Sequence, residues 1–135
     1  MIIGTVCSRG LFRSRDRGDT WDFLDTQAHY VMVAAFSAAD PTTIYVTNGL
    51  GGGVGQVFRS DDRGLTFAQT GALPDAEYAH PHGIALHPED SMTLLVGTSE
   101  DWGDSELPSG LFRSEDGAET WTRVGEGLPL SLIHI

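Results

Sequence analysis

The sequence contains no lysine, a single cysteine and no long apolar run. All eight basic residues are arginines, and 19 acidic residues give a formal net charge of −11. Such a charge repels phosphate backbones and anionic surfaces, so no nucleic-acid partner is expected. Cys7 alone allows neither an internal disulfide nor a thiolate metal cluster. No apolar stretch approaches the about 20 residues of a membrane helix, so no membrane span is expected.

The two ends of the sequence carry little that describes a fold. Met1-Ile2-Ile3 lacks the basic and apolar regions of a signal peptide. Residues 130–135 resemble the translation of a transposon-end adapter used in sequencing libraries. We therefore expect 130–135 to be a non-native tail and residues 1–129 to carry the fold.

One short pattern occurs three times, beginning at Gly10, Gln56 and Gly110. Each copy contains Phe-Arg-Ser, then an Asp two places after the Ser, then a Thr followed by Trp or Phe. A second segment, residues 33–47, matches residues 83–97: a short apolar strand, a turn with Pro and Asp, and a β-branched strand. Recurrence at this period is typical of repeat architectures.

The two repeated segments together predict four strands, A to D, in each unit. The expected strands are 2–5, 10–14 and 20–25 (B to D of the first unit), 31–37, 43–48, 55–60 and 66–70 (A to D), and 82–87, 93–98, 110–115 and 120–124 (A to D). Tandem four-stranded antiparallel units are typical of propeller blades, of which a ring needs about four to eight. We therefore predict an all-β, partial β-propeller of just under three blades, about 1–25, 31–70 and 82–124, whose partners include the remaining blades.

The first repeated pattern lies in the turn between strands C and D. Ser and Asp side chains accept hydrogen bonds from turn amides, Gly18 and Gly64 suit a positive φ, and the aromatic residue packs on the blade. In the third copy Gly117 comes one place early and Ala118 occupies the usual glycine position. This turn is expected to be distorted or mildly strained.

The three copies resemble the Asp-box, or bacterial neuraminidase repeat, Ser/Thr-x-Asp-x-Gly-x-Thr-Trp/Phe. The resemblance covers nearly all of residues 1–129 and implies a propeller like those of sialidases, xyloglucan-active glycoside hydrolases and sortilin-type receptors. It also implies that the Asp-box is structural and faces away from the ligand, and that the protein is extracellular or periplasmic. No cofactor is expected. The residues matched are Ser14, Asp16, Gly18, Thr20, Trp21, Ser60, Asp62, Gly64, Thr66, Phe67, Ser114, Asp116, Thr120 and Trp121.

The B–C and D–A connections should gather at the opposite end, which we call the rim, where a carbohydrate or protein ligand would bind. The third B–C connection, 99–109, places Trp102 among carboxylates. A Trp can stack on a sugar ring while carboxylates accept its hydroxyl hydrogen bonds; a solvated acidic loop is the alternative. The candidate ligand residues are Trp102, Asp101, Asp104, Glu106, His80 and His82.

The sequence gives little support for a metal site or for a phosphate-binding loop. His82 and His87 would point to opposite faces of a regular strand, which argues against a shared metal. The Gly-rich run 49–55 has no following helix and no lysine, unlike a phosphate-binding loop.

Two functions remain open. The first is a scaffold without a complete catalytic site. The second is a fragment of a secreted glycoside hydrolase, exo-sialidase-like or xyloglucanase-like, whose cleft is bordered by residues 71–82 and 99–109. Only Arg9 of the eight arginines falls on the rim, so the arginine triad of a sialidase cannot be assembled here.

Overall fold

The chain folds into three antiparallel sheets. The computed structural model describes residues 2–6, 10–24, 28, 30–49, 55–74, 80–99 and 110–126, and for 2–6, 80 and 99 it describes the backbone alone. The strands are β1 (Ile2–Val6), β2 (Gly10–Ser14), β3 (Asp22–Leu24), β4 (Val31–Phe36), β5 (Ile44–Asn48), β6 (Gln56–Ser60), β7 (Ala68–Gln69), β8 (His80–Leu86), β9 (Leu94–Ser99), β10 (Gly110–Ser114) and β11 (Thr122–Val124). The described residues include no helix that could span a membrane.

The sheets follow the predicted units. Their strand orders are β1-β2-β3, β4-β5-β6-β7 and β8-β9-β10-β11, and we call them blades 1, 2 and 3. Blade 1 has only strands B to D in the described residues. The sheets confirm an all-β fold of propeller type, and the expected tail 130–135 lies outside the described residues.

The A strands of the two four-stranded blades, β4 and β8, lie side by side. Each has a register shift near its start, between Val31 and Val33 in β4 and between Pro81 and Gly83 in β8. A register shift of this kind inserts one residue that no partner strand opposes. The extra residues are Met32 and His82.

Alternation along the strands explains how the blades pack. Successive strand residues point to opposite faces of a sheet. In β5, Ile44 and Val46 contribute to the core between blades 1 and 2, whereas Tyr45 contributes to the core between blades 2 and 3. Both faces of blade 2 are thus apolar, since blade 1 covers one face and blade 3 covers the other.

Each interface contains one apolar core. Between blades 1 and 2 the buried residues are Leu11, Leu24, Ala28, Val31, Ile44, Val46 and Phe58. Between blades 2 and 3 they are Tyr45, Val57, Leu73, Leu94, Val96, Phe112 and Ala118. Burial of such side chains contributes about 25 cal/mol per Å² of apolar surface and is the main attraction between blades.

Candidate functional site

The Asp-box of blade 1 forms a closed set of local hydrogen bonds. The Ser14 hydroxyl donates to Asp16 Oδ1 (2.8 Å) and accepts from the Gly18 amide (2.7 Å). Asp16 Oδ1 also accepts from the Thr20 amide (2.9 Å), and Oδ2 accepts from the Thr20 hydroxyl (2.5 Å). Both carboxylate oxygens are therefore occupied by the turn that carries them.

The other two copies repeat this geometry. Asp62 accepts from the Thr66 amide and hydroxyl at 2.9 and 2.5 Å, and Asp116 accepts from Thr120 at the same two distances. Gly64 and Ala118 donate their amides to the serine hydroxyl of their own turn, each at 2.9 Å. The three turns are thus built alike in spite of their different sequences.

These hydrogen bonds stabilise the ionised carboxylates. Bonds from Thr20 and Ser14 lower the pKa of Asp16 from 3.8 to about 2, and the equivalent bonds from Thr120 and Ser114 do the same for Asp116. At Asp62 desolvation raises the pKa, but the bonds from its own turn outweigh it and the pKa is again about 2. The carboxylates stay charged at neutral pH and face their own amides.

Each turn contains two consecutive residues with positive φ. They are Arg17 and Gly18 (64° and 102°), Arg63 and Gly64 (62° and 77°), and Gly117 and Ala118 (76° and 75°). The third turn keeps every Asp-box hydrogen bond, so the predicted distortion was wrong. The glycine has moved to the first of the two positions, and Ala118 carries a φ that glycine adopts more readily. Each turn has one residue other than glycine in this region, Arg17, Arg63 or Ala118, so the mild strain expected for the third turn is shared by the other two.

The A–B turns also depend on an aspartate, whose role the sequence reasoning missed. Asp40 accepts from the Thr42 amide (2.9 Å) and the Thr43 hydroxyl (3.2 Å), and Asp90 accepts from the Met92 amide (2.9 Å) and the Thr93 hydroxyl (2.6 Å). The Thr42 hydroxyl also donates to Asp40 Oδ1 (2.7 Å), and this bond contributes most to the lowered pKa of Asp40. The bonds from Thr93 and Met92 lower the pKa of Asp90. The matching Asp-x-x-Thr spacing in segments 33–47 and 83–97 was the available signal.

In blades 2 and 3 the A–B and C–D turns lie at the same end of the blade. The Arg63 amide donates to the Thr42 carbonyl (3.0 Å), and the Gly117 amide donates to the Met92 carbonyl (2.9 Å). Both Asp-containing turns therefore form one continuous end of the structure, which we call the turn face.

The B–C connections leave from the opposite end, the rim. Strands β5 and β6 end there at the pair Asn48–Gln56, and β9 and β10 end there at Thr98–Gly110. The Gln56 amide donates to Asn48 Oδ1 (2.9 Å), and the Gly110 amide donates to Thr98 Oγ1 (3.0 Å). A side chain at the same strand position thus fixes the base of both connections.

The candidate ligand residues divide into two groups. Trp102, Asp101, Asp104 and Glu106 lie outside the described residues, as does Arg9. His80 pairs with Ser99 at the rim end of β8 and β9. His82 is exposed and is the extra residue of the register shift, so β8 is not the regular strand on which the opposite-face argument relied.

Two further observations concern charge. Within the described ranges, no three His, Cys, Asp or Glu side chains are close enough to hold a metal ion.

Arg13, Arg59 and Arg113 occupy the same position of β2, β6 and β10, next to the turn face rather than the rim. Arg59 pairs with Asp61 (2.6 Å) and Arg113 with Glu115 (3.4 Å).

Comparison with known proteins places these features in context. A family model described as Sortilin, neurotensin receptor 3 (Sortilin-Vps10) matches residues 9–129. A xyloglucanase from a Paenibacillus species is 30% identical over 128 residues, which cover 88% of this chain and 12% of that protein. The crystal structure of an ancestral GH74 enzyme superposes with a TM-score of 0.67 at 17% identity, over 90% of this chain and 16% of that one. The structural likeness shows the fold, and the chain spans a small part of both relatives.

Proposed function

The chain belongs to the Sortilin-Vps10 family, and we propose that it is an Asp-box β-propeller segment that acts as a structural and binding scaffold without a complete catalytic site. The observation that supports this proposal is the closed hydrogen bonding of the three Asp-boxes. Asp16, Asp62 and Asp116 each hold their own threonine amide and hydroxyl, which leaves them poorly suited to a ligand. The Asp-boxes would hold the fold, and binding would fall to the rim.

For the ligand we propose a carbohydrate, bound at the rim. The connections 49–55 and 99–109 both begin there, and the sequence of the second contains Trp102 as well as Asp101, Asp104 and Glu106. An aromatic ring supplies an apolar platform for a sugar, and carboxylates accept hydrogen bonds from its hydroxyls. The xyloglucanase relative favours a plant-type glucan among carbohydrates. An extracellular or periplasmic location would fit such a ligand.

Titration with xyloglucan oligosaccharides, followed by calorimetry, tests this proposal. We expect saturable binding that Trp102→Ala weakens at least tenfold, while Leu65→Ala on the turn face leaves it unchanged. Leu65 is a suitable control because it is 60% exposed in the C–D turn of blade 2. Absence of binding by the unaltered chain would exclude this carbohydrate class, and equal weakening by both variants would exclude the rim.

A second proposal rests on the same relative: the chain forms part of a glycoside hydrolase, with residues 71–82 and 99–109 bordering the cleft. Glycoside hydrolysis requires two carboxyl groups about 5–10 Å apart on either side of the scissile bond. The release of new reducing ends from xyloglucan by the full-length protein that contains this segment would favour this proposal over a scaffold. Binding of xyloglucan by that protein without any release would favour the scaffold.

A further inference from the structure

The sequence contains one asparagine, Asn48, and Gly49 follows it directly. An Asn-Gly sequence loses its side-chain amide more readily than other Asn-containing sequences, because glycine has no Cβ to hinder attack by its own nitrogen on the preceding side chain. One Asp-Gly sequence, Asp116-Gly117 in the third Asp-box, can form the same cyclic intermediate. The structure holds these two sequences in different ways.

Asn48 and Gly49 lie at the rim end of blade 2, and neighbouring segments hold both residues. The Gly49 amide donates to the Tyr30 carbonyl (3.2 Å). The Gln56 amide donates to Asn48 Oδ1 (2.9 Å), and Asn48 Nδ2 donates to Gln56 Oε1 (3.4 Å). For the side chain to react, the Gly49 nitrogen must lose its proton and reach Asn48 Cγ. The closed arrangement therefore protects Asn48 for as long as the bond to Tyr30 is made.

Two features favour local opening of this end. The pair Asn48–Gln56 is the last of β5 and β6 at the rim, and strand ends open at a lower cost in free energy than the body of a sheet. Tyr30 has a φ of 56°, in the left-handed region that a residue other than glycine adopts at a cost. Opening would release the Gly49 N–H to solvent and relieve the strain at Tyr30 at the same time.

The Asp116-Gly117 sequence is held more firmly. The Gly117 amide donates to the Met92 carbonyl (2.9 Å). The two oxygens of Asp116 accept from the Thr120 amide and hydroxyl (2.9 and 2.5 Å), and these bonds hold the pKa of Asp116 at about 2. The carboxylate is therefore ionised at neutral pH. An anion, unlike a neutral side-chain amide, is a poor target for a nucleophile.

We propose that Asn48 is a modification site, at which local opening of the rim end of blade 2 allows deamidation through a cyclic imide, while Asp116 remains unmodified. In the open form a base removes the Gly49 N–H proton and the nitrogen forms a bond to Asn48 Cγ. The bond from Cγ to Nδ2 breaks as Nδ2 takes up a proton and leaves as ammonia. Water then adds to one of the two carbonyls of the imide and opens the ring, which gives aspartate or isoaspartate. The proposal rests on the fold and does not depend on a ligand at the rim.

The two products should differ in their effect on the rim. Aspartate at position 48 keeps an oxygen that accepts from the Gln56 amide, and the Gln56 side chain can turn its NH2 group towards the second oxygen. Isoaspartate adds one carbon to the main chain between β5 and Gly49, so the Gly49 N–H no longer reaches the Tyr30 carbonyl while the strand stays in register. Isoaspartate would thus release the start of connection 49–55, whereas aspartate would leave it in place and add one negative charge.

Mass spectrometry and hydrogen exchange on the unaltered chain test the proposal together. The chain is incubated at mildly alkaline pH with and without urea, and its peptides are analysed for loss of the amide at Asn48 and for isoaspartate at both sequences. We expect Asn48 to react at least tenfold more slowly in the folded chain than in urea. The Gly49 amide should be protected from exchange by the same factor to within about threefold, because both reactions require the same opening. Asp116 should form no isoaspartate in the folded chain over the same time.

Four results would overturn the proposal. Equal rates at Asn48 with and without urea, or a Gly49 amide that exchanges without protection, would show that the bond to Tyr30 does not control the reaction. An Asn48 that stays unmodified in the folded chain over many half-lives of the reaction in urea would show that this end does not open. Isoaspartate at Asp116 formed as fast as at Asn48 would remove the difference between the two sequences.

Two variants assign the chemistry and its consequence. In urea, where the fold plays no part, Gly49→Ala should deamidate at least tenfold more slowly, because its methyl group hinders the attack on Asn48. In the folded chain, Asn48→Asp should keep the protection of the Gly49 amide from exchange, and the isoaspartate form, separated by chromatography, should lose it. Equal protection in the two forms would contradict the proposed release of connection 49–55.

Discussion

The two interfaces between blades use the same strand positions but are held together differently. In the interface between blades 1 and 2, the described residues meet through apolar side chains, with Leu11 and Leu24 against Ile44, Val46 and Phe58. The interface between blades 2 and 3 adds hydrogen bonds that cross it. These join the Tyr45 hydroxyl to the Ser91 carbonyl (2.8 Å), the Gly71 amide to the Ala118 carbonyl (3.0 Å) and the Trp121 indole to the Gly71 carbonyl (3.1 Å).

Two glycines make the second interface closer. A Cβ on Gly71 would collide with the Glu119 backbone, and one on Gly117 would lie 2.0 Å from Arg59 Nη1. The guanidinium of Arg59 therefore lies directly on the turn of blade 3. The difference shows that the repeat requires apolar residues in every copy, whereas the polar contacts across an interface are particular to each pair of blades.

Replacing Gly71 should have the largest effect on this comparison. A methyl group at Gly71→Ala would lie 1.8 Å from the Glu119 oxygen, and backbone on both sides prevents a local adjustment. We expect a loss of about 3 kcal/mol in the free energy of unfolding, measured by urea denaturation. Gly97→Ala is the matched control, because nothing lies within 4 Å of its added Cβ. If both variants unfold alike, the close approach of blades 2 and 3 is not present in solution.

Acid should destabilise the three Asp-box turns by similar amounts but the two interfaces between blades by different amounts. The pKa of Asp16 and of Asp116 is about 2 in the folded chain and near 3.8 without the turn. Because the folded pKa is the lower one, these carboxylates stabilise the fold fully above about pH 4, and this contribution is lost as the pH falls towards 2. Urea midpoints at pH 7, 4 and 2.5 should show the decline.

Substitution of single aspartates separates the turn from the interface. Asp16→Asn and Asp116→Asn should flatten the acid dependence by similar amounts, because both carboxylates make the same bonds. Asp116→Asn should cost more at pH 7, because its turn also carries the contacts of Gly117 and Ala118 with blade 2. The control is Asp19→Asn, whose carboxylate accepts no hydrogen bond within the described part of the chain. Equal loss at pH 7 for the first two variants would contradict an unequal role of the turns.

Replacing Trp121 tests one hydrogen bond across the interface between blades 2 and 3. Trp121→Phe removes the donor to the Gly71 carbonyl, and Phe67 shows that Phe is accommodated at this position in blade 2. We expect a loss of about 1 kcal/mol in the free energy of unfolding. Trp21→Phe should cost less, because the Trp21 indole bonds within its own exposed turn. Equal losses in the two variants would place the effect in the side chain rather than in the contact between blades.

The sequence predicted what depends on neighbours along the chain. Ser14 and Asp16 bond residues two to four places away, so their pattern was sufficient to place them in a turn. The bond from Trp121 to Gly71 joins residues 50 places apart, and no local pattern indicates it. The register shift at His82 was missed although Pro81 and Gly83 flank it, and both residue types are typical of bulges within strands. The rim at 100–109 lies outside the described residues, so its ligand role stays a prediction.

Arg15 provides the smallest and most specific test of the comparison. Arg59 has Asp61 two places after it and Arg113 has Glu115, but the same position after Arg13 is occupied by Arg15. Arg13 is buried, and among the described residues its Nε has no hydrogen-bond partner and its carboxylate contact is with Asp22 at 4.0 Å.

Arg15→Asp should give Arg13 the partner that Arg59 has, but it also removes the contact of Arg15 with Asp22 (3.8 Å). The net gain for the first interface should therefore be at most about 0.5 kcal/mol, since both contacts are largely in solvent. Arg17→Asp makes the same change in net charge two residues away and should give no such gain. The two variants are compared by urea denaturation at low and high salt. A gain in stability in both variants would reflect the overall charge. A gain in neither would indicate that Arg13 does not need a carboxylate two places after it, although Arg59 and Arg113 have one there.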